Sequence, residues 1–94
     1  MTAEPVYLPT EPLGEWSRNP DRGCVQPGVD PRVFFPGTGG VMEAQIARNI
    51  CRRCPVRIEC GNDALAHPWV WGIWGGLSTS ERRNMRRRGI RSVQ

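Results

Sequence analysis

The clearest periodicity in the chain is a run of apolar positions four residues apart between residues 41 and 54. Its members are Met42, Ile46 and Ile50, with the pair Ala47 and Cys51 beside them. Residues i and i+4 share one face of an α-helix, so this spacing predicts a helix with Cys51 on its buried side. Pro55 cannot extend a helix, and we therefore place the end at Cys54.

The same spacing returns at Val56, Cys60 and Ala64. It predicts a second helix over about residues 55 to 66, which Pro55 can begin and Pro68 ends. Ser78 and Glu81 have the spacing of a capping box, which predicts a third helix from residue 78 to about residue 89. No internal repeat and no sustained strand-like alternation is present. The predicted class is all-α, a small domain of three to four helices.

The remaining segments lack apolar periodicity. Residues 1–22 contain four prolines and a single Trp16, which favours a mobile or loosely draped arm. Pro31 can open one helical turn before Phe34 and Phe35, and a glycine-rich loop follows. Glycines cluster again around Ile73 and Trp74 and predict a tight turn. We divide the chain into the arm at 1–22, a core at 23–77, and a basic helix and tail at 78–94.

The chain is short for a protein that folds on apolar burial alone. A core of this size rarely gains more than about 3–5 kcal/mol from burial, so a metal, disulfides or a partner usually supplies the rest. No charged segment followed by an apolar stretch opens the chain, and no apolar run approaches the length of a membrane span. We therefore expect a cytoplasmic protein whose thiols are reduced, which favours metal ligation over disulfide bridges.

The four cysteines, Cys24, Cys51, Cys54 and Cys60, form one close pair, one near thiol and one remote thiol. Structural zinc usually draws on two close pairs or on histidines at short spacing, and the single His67 stands outside any such spacing. An iron-sulfur cluster accepts thiolates from three separate segments. The spacing thus favours a cluster, while zinc and dithiol chemistry stay open. No histidine and carboxylate arrangement suggests a hydrolase, and we expect no enzymatic activity.

All 13 basic residues are arginine, and the net charge is +4. Arginine suits phosphate binding, although a GC-rich genome produces the same bias. The predicted third helix and its tail contain six of these residues: Arg82, Arg83, Arg86, Arg87, Arg88 and Arg91. We expect this stretch to contact DNA, mainly through phosphates, because phosphate contacts position a protein without selecting a sequence.

The order of these motifs resembles the WhiB-like family of actinobacterial transcription regulators. The resemblance rests on Cys24, then Asp30-Pro31 with Phe34-Phe35-Pro36, then Cys51-x2-Cys54-Pro55-x4-Cys60, then Gly72-Ile73-Trp74-Gly75-Gly76, and last a Ser-x-x-Glu-Arg-Arg helix. It covers roughly residues 16 to 91.

The resemblance implies a 4Fe-4S cluster, one per chain, on all four cysteines, with the small helical fold wrapped around it. It also implies sensitivity to oxygen or nitric oxide, and a monomer that joins region 4 of the principal RNA polymerase sigma factor. The residues implied to face that partner are Phe34, Phe35, Gly72, Trp74, Gly75 and Gly76, and Trp16 is implied to pack nearby.

Overall fold

The computed structural model describes residues 14–93, and this part of the chain is helical. Its α-helices are α1 at Val41–Arg52, α2 at Arg57–Ala66 and α3 at Thr79–Arg87, and three short 3-10 helices lie at Glu15–Arg18, Gly23–Val25 and Pro31–Phe34. The strand-like pairing within residues 14–93 is an isolated bridge between Trp74 and Leu77. The predicted all-α class is confirmed. None of the described helices has the length and apolar character needed to cross a membrane.

Helix α1 packs on the third 3-10 helix and buries a narrower face than the sequence predicts. Ala47 is fully buried and Cys51 is 7% exposed, whereas Met42 is 74% exposed and Ile46 is 46% exposed. The expectation that Met42 and Ile46 face the core is therefore wrong. Small side chains on the inner face allow α1 to approach the core of Val33, Phe34 and Ile73 closely, and the larger apolar residues are left outside.

The described part of the N-terminal segment, residues 14–22, is attached to α2. The Gly14 backbone N–H donates to the Asp63 carboxylate at 3.0 Å, and the indole N–H of Trp16 donates to the same oxygen. The expected loose arm thus does not extend to residue 22, and its first 13 residues lie outside the described chain.

A tight glycine turn follows α2, as the sequence predicts. Gly75 and Gly76 have φ values of 60° and 83°, and Trp74 and Leu77 on either side exchange two backbone hydrogen bonds of 3.0 Å. Positive φ at both central residues is what a type I′ turn requires. A Cβ atom on Gly75 would lie 2.6 Å from the Gly61 nitrogen, so this turn rests directly on the backbone of α2.

Helix α3 begins and ends with complete caps, as predicted. The Ser78 hydroxyl accepts from the Glu81 N–H at 3.1 Å, and the Glu81 carboxylate accepts from the Ser78 N–H at 2.8 Å. At the other end Gly89 has a φ of 78°, and the Ile90 N–H donates to the Met85 carbonyl at 2.9 Å, which is the Schellman arrangement.

The Arg82 side chain of α3 is fully buried. Its guanidinium donates to the carbonyl oxygens of Gly72 at 2.8 Å, Leu77 at 2.6 Å and Val70 at 2.9 Å. Burial, together with the charge of Arg86, lowers the pKa of this guanidinium to about 10, so the group remains charged at neutral pH. Arg82 therefore joins α3 to both ends of the glycine turn, and the prediction that Arg82 contacts DNA is wrong.

Replacing Arg82 by methionine should destabilise the fold strongly. The change leaves the Val70 carbonyl without its donor and removes one of two donors from the Gly72 and Leu77 carbonyls. A buried acceptor left without a hydrogen bond costs about 1–3 kcal/mol. The matched control is Arg83→Met on the exposed side of α3, which should change the free energy of unfolding by less than about 0.5 kcal/mol. Urea unfolding of the anaerobically prepared proteins measures both, and equal losses would contradict this role for Arg82.

Candidate functional site

The four cysteines line one cavity of about 280 Å³. Cys24 comes from the second 3-10 helix, Cys51 from the last turn of α1 and Cys60 from α2, while Cys54 lies in the link between the two α-helices. All four are free thiols. The structure therefore brings together the residues that the sequence predicts to converge, although they come from separate segments.

The rest of the cavity wall is mostly apolar. Its largest side chains are those of Trp16, Phe34, Phe35, Ile50, Val56, Ile73 and Trp74. Among residues 14–93, the charged residues that line the cavity are Arg22 and Arg57, and no Asp or Glu lines it. Sequence reasoning missed both arginines. Their proximity to the cysteines was the available signal: Arg22 stands two residues before Cys24, and Arg57 lies midway between Cys54 and Cys60.

Two of the thiols are shielded from solvent. Burial raises the pKa of the Cys60 thiol to about 12, the charge of Cys51 adds to the rise, and a backbone hydrogen bond from Gly75 opposes it. Burial also raises the pKa of Cys51, against backbone hydrogen bonds from Gly76 and Gly75. These thiols stay protonated at neutral pH unless a positive group binds them. A metal that binds here must displace protons, as thiolate ligation requires.

Backbone N–H groups reach the sulfur atoms from two sides. The glycine turn supplies those directed at Cys51 and Cys60, and the Gly23 N–H donates to the Cys54 sulfur at 3.5 Å. Such donors stabilise negative charge on sulfur and are among the features that tune a thiolate-bound metal. The close approach needs glycine, because a Cβ on Gly23 would lie 2.6 Å from Ile50.

The side chains that could bind a metal lie far apart in this site. Within residues 14–93, no three His, Cys, Asp or Glu side chains lie close enough together to hold one metal ion. The thiols are instead distributed around a cavity of about 280 Å³, which is larger than a single zinc ion with sulfur ligands at about 2.3 Å needs. An all-cysteine donor set around an apolar space fits a thiolate-bound cluster.

The aromatic residues at the cavity divide into buried and accessible ones. Phe34 is 6% exposed and belongs to the core, whereas Phe35 is 46% exposed. Phe35 stacks on Trp71 with centroids 5.6 Å apart. Trp74 meets Trp16 edge to face at 6.2 Å, and both line the cavity.

Accessibility limits which of the predicted partner residues can touch another protein. Gly72 and Gly75 are buried along with Phe34, while Trp74 and Gly76 are partly exposed. Phe34, Gly72 and Gly75 therefore offer little accessible surface to a partner. Trp71, which is 52% exposed, was missed by the sequence analysis. Its stack on Phe35 was not readable from the sequence, because 36 positions separate the two rings.

The arginines of α3 and its tail fall into two groups. Arg82 is buried, and Arg86 donates to the Leu65 carbonyl at 2.8 Å and the Ala64 carbonyl at 2.9 Å, at the end of α2. The exposed group is Arg83, Arg87, Arg88 and Arg91. Four of the six arginines predicted to bind DNA therefore face solvent, and Arg86 is largely committed to holding α3 against α2.

The fold and this cysteine cavity define a member of a known class. The family model described as "Transcription factor WhiB" matches residues 16–85, and the chain belongs to this WhiB family of transcription factors.

Individual relatives agree with the family match. Transcriptional regulator WhiB2 of Mycobacterium tuberculosis is 47% identical over 81 residues, which is 85% of this chain and 83% of that protein. Transcriptional regulator WhiB of Streptomyces coelicolor is 43% identical over 67 residues, 71% of this chain and 72% of the relative. The redox-responsive transcriptional regulator WhiB3 of Mycolicibacterium smegmatis is 42% identical over 88 residues, 88% of each chain.

Replacing Gly75 by alanine should disrupt the site. The new Cβ would lie 2.6 Å from the Arg57 carbonyl and the Gly61 nitrogen, at a φ of 60°, so both a steric clash and backbone strain oppose it. Gly39→Ala is the control, because Gly39 has a φ of 81° and no atom within 4 Å of its added Cβ. The control should lose only the strain energy, about 1–3 kcal/mol, and Gly75→Ala clearly more, as measured by urea unfolding. Equal losses would show that the turn does not need its close contact with α2.

Proposed function

We propose that this chain is a 4Fe-4S transcription regulator that binds region 4 of the principal sigma factor and contacts promoter DNA through α3. The observation that carries the proposal is the single cavity lined by all four cysteines. Cys24, Cys51, Cys54 and Cys60 would hold the cluster, which supplies one-electron redox chemistry and reactivity toward oxygen or nitric oxide when bound.

The protein residues around the thiols support this role. The Gly75 and Gly76 amides offset negative charge on Cys51 and Cys60, and the apolar wall limits the access of water to these two sulfur atoms. Cys24 is exposed whereas Cys51 is buried. An oxidant would therefore meet the Cys24 side of the cavity first. Loss of ligation there would release the second 3-10 helix from α1 and so alter the surface around the cavity.

The proposed sigma-facing surface consists of Phe35, Trp71, Trp74 and the edge of the glycine turn at Gly76. Phe35 and Trp71 each expose close to half of their area, and exposed aromatic side chains that become buried on binding are frequent hot spots. Phe35 and Trp74 also line the cysteine cavity. A partner seated on this surface would cover the cavity and thereby couple the state of the thiols to binding.

The proposed DNA-binding surface is the exposed side of α3 and its tail. Arg83, Arg87, Arg88 and Arg91 project to solvent, while Arg82 and Arg86 hold the helix to the rest of the domain through backbone carbonyls. Like charges one turn apart destabilise an isolated helix, and these inward hydrogen bonds offset that cost. Since phosphate contacts do not select a sequence, promoter choice would come from the attached sigma domain.

Anaerobic co-expression with sigma region 4 tests the central proposal. We expect a one-to-one complex with about four iron and four sulfide per chain, as a 4Fe-4S cluster requires. Trp74→Ala should retain most of the iron and weaken the complex by about 30-fold, because a hot-spot tryptophan contributes about 2 kcal/mol or more. Trp69→Ala is the matched control, since Trp69 is 44% exposed and does not line the cavity. Calorimetry and iron analysis give the two readouts.

Two results would contradict the proposal at different steps. A colourless protein that contains zinc and no sulfide would indicate a structural zinc site in place of the cluster. If the iron-loaded wild type and both tryptophan variants bind sigma with the same affinity, the cluster assignment would stand and the proposed docking surface would be rejected.

Salt dependence tests the DNA-binding surface in the sigma complex. Each phosphate contact makes the slope of log affinity against log salt steeper by about 0.9, so replacing Arg83, Arg87, Arg88 and Arg91 together by glutamine should make the slope shallower by about 3.6. The control replaces Arg52 and Arg53, two exposed arginines at the end of α1, by glutamine. Fluorescence anisotropy with duplex DNA measures the slope. The same change in slope per arginine replaced in the control would show a diffuse charge effect and not a contact through α3.

A further inference from the structure

Two arginines of the cysteine cavity have no role in the function described so far. The side chains of Arg22 and Arg57 are the charged members of the cavity wall, and both are partly buried. Arg22 comes from the segment before the second 3-10 helix, and Arg57 is the first residue of α2. The two residues therefore line the cavity from different elements.

The two guanidinium groups differ in how they are held. The Arg22 Nε donates to the Asn19 carbonyl at 2.9 Å, which fixes that side chain near the rim and leaves its terminal nitrogens available. The Arg57 guanidinium has no hydrogen-bond or ion-pair partner among residues 14–93. Arg57 is a partly buried arginine with no side-chain partner, and among residues 14–93 no carboxylate lines the cavity beside it. It is therefore available to meet an anion that the described residues do not supply.

We propose that Arg57, supported by Arg22, provides the counter-charge of the iron-sulfur site and sets its reduction potential. This inference rests on the proposed function. Four thiolates give the loaded site a negative charge, which is costly to bury in an apolar cavity unless it is compensated. A nearby fixed cation stabilises the more negative, reduced form more than the oxidised form, since net charge and its surroundings tune cluster potentials. Arg57 and Arg22 are positioning residues here, because the sulfur ligands remain the four cysteines.

The test measures a one-electron reduction, in which a low-potential mediator supplies the electron and no bond is formed or broken. Arg57→Gln removes the charge and keeps a polar side chain of similar length. We expect at least a tenfold smaller equilibrium constant for reduction, equal to a shift of about 59 mV to more negative potential. Arg57→Lys keeps the charge and should stay within a third of that shift. Arg22→Gln should move the potential in the same direction.

Arg53→Gln is the matched control. Arg53 directly precedes Cys54 and is exposed, but its side chain does not line the cavity, so its loss should leave the potential unchanged. A second readout is the rate at which a chelator removes iron from the anaerobic protein. That rate should rise at least threefold in Arg57→Gln and should not change in Arg53→Gln.

The outcomes separate this inference from the proposed function. Wild-type protein without iron and sulfide would overturn the proposed function itself. A loaded protein in which Arg57→Gln and Arg53→Gln have the same potential would overturn only the role of Arg57. If Arg57→Gln fails to load, recovery of loading and potential by Arg57→Lys supports a charge effect. Failure of both variants to load would show that the shape of Arg57 matters and would reject the counter-charge role.

Discussion

The fold of the domain depends on a close backbone contact between two glycines, which leaves no space for a side chain at that point. Gly75 of the turn approaches Gly61 of α2 so closely that a Cβ atom would lie 2.6 Å from the Gly61 nitrogen. This contact directs the amides of the turn toward Cys51 and Cys60. It also presents the Gly72 and Leu77 carbonyls to Arg82. One turn thus organises the cysteine cavity on one side and the attachment of the basic helix on the other.

Different features of the cavity have opposite effects on the charge of its thiols. Burial raises the pKa of Cys51 and Cys60, which disfavours the thiolates that a metal needs, while backbone amides of the glycine turn favour negative charge on the same sulfur atoms. The proposed cluster would reconcile these features, because positive metal ions stabilise thiolates in a buried site. Membership of the WhiB family places this arrangement in a transcription factor.

Much of the fold was readable from the sequence, and the exceptions have physical causes. Helix α3 was predicted to within about two residues because the capping box at Ser78 and the glycine at position 89 mark its ends. The exposure of Met42 and Ile46 was not predictable from periodicity, since in a helix of 12 residues it does not show which apolar face a neighbouring element covers. The burial of Arg82 depends on carbonyls that reach it only after the glycine turn has formed.

Some features of the site were also predictable from the sequence, and others were not. The convergence of four thiols followed from their chemistry and spacing, whereas the cations beside them and the stack of Phe35 on Trp71 arise from tertiary packing between distant segments. Local patterns identify which residues have reactive chemistry. They do not identify the residues that set its electrostatic surroundings.

Helix α3 depends on the rest of the domain for its helical structure. At nine residues it is shorter than the roughly 12–15 residues that an isolated helix needs in water. Two of its arginines, Arg82 and Arg86, donate to carbonyls of other segments. An excised peptide would present the same charges on a disordered backbone, so the geometry of its cationic side exists only while the cysteine-bearing scaffold is intact.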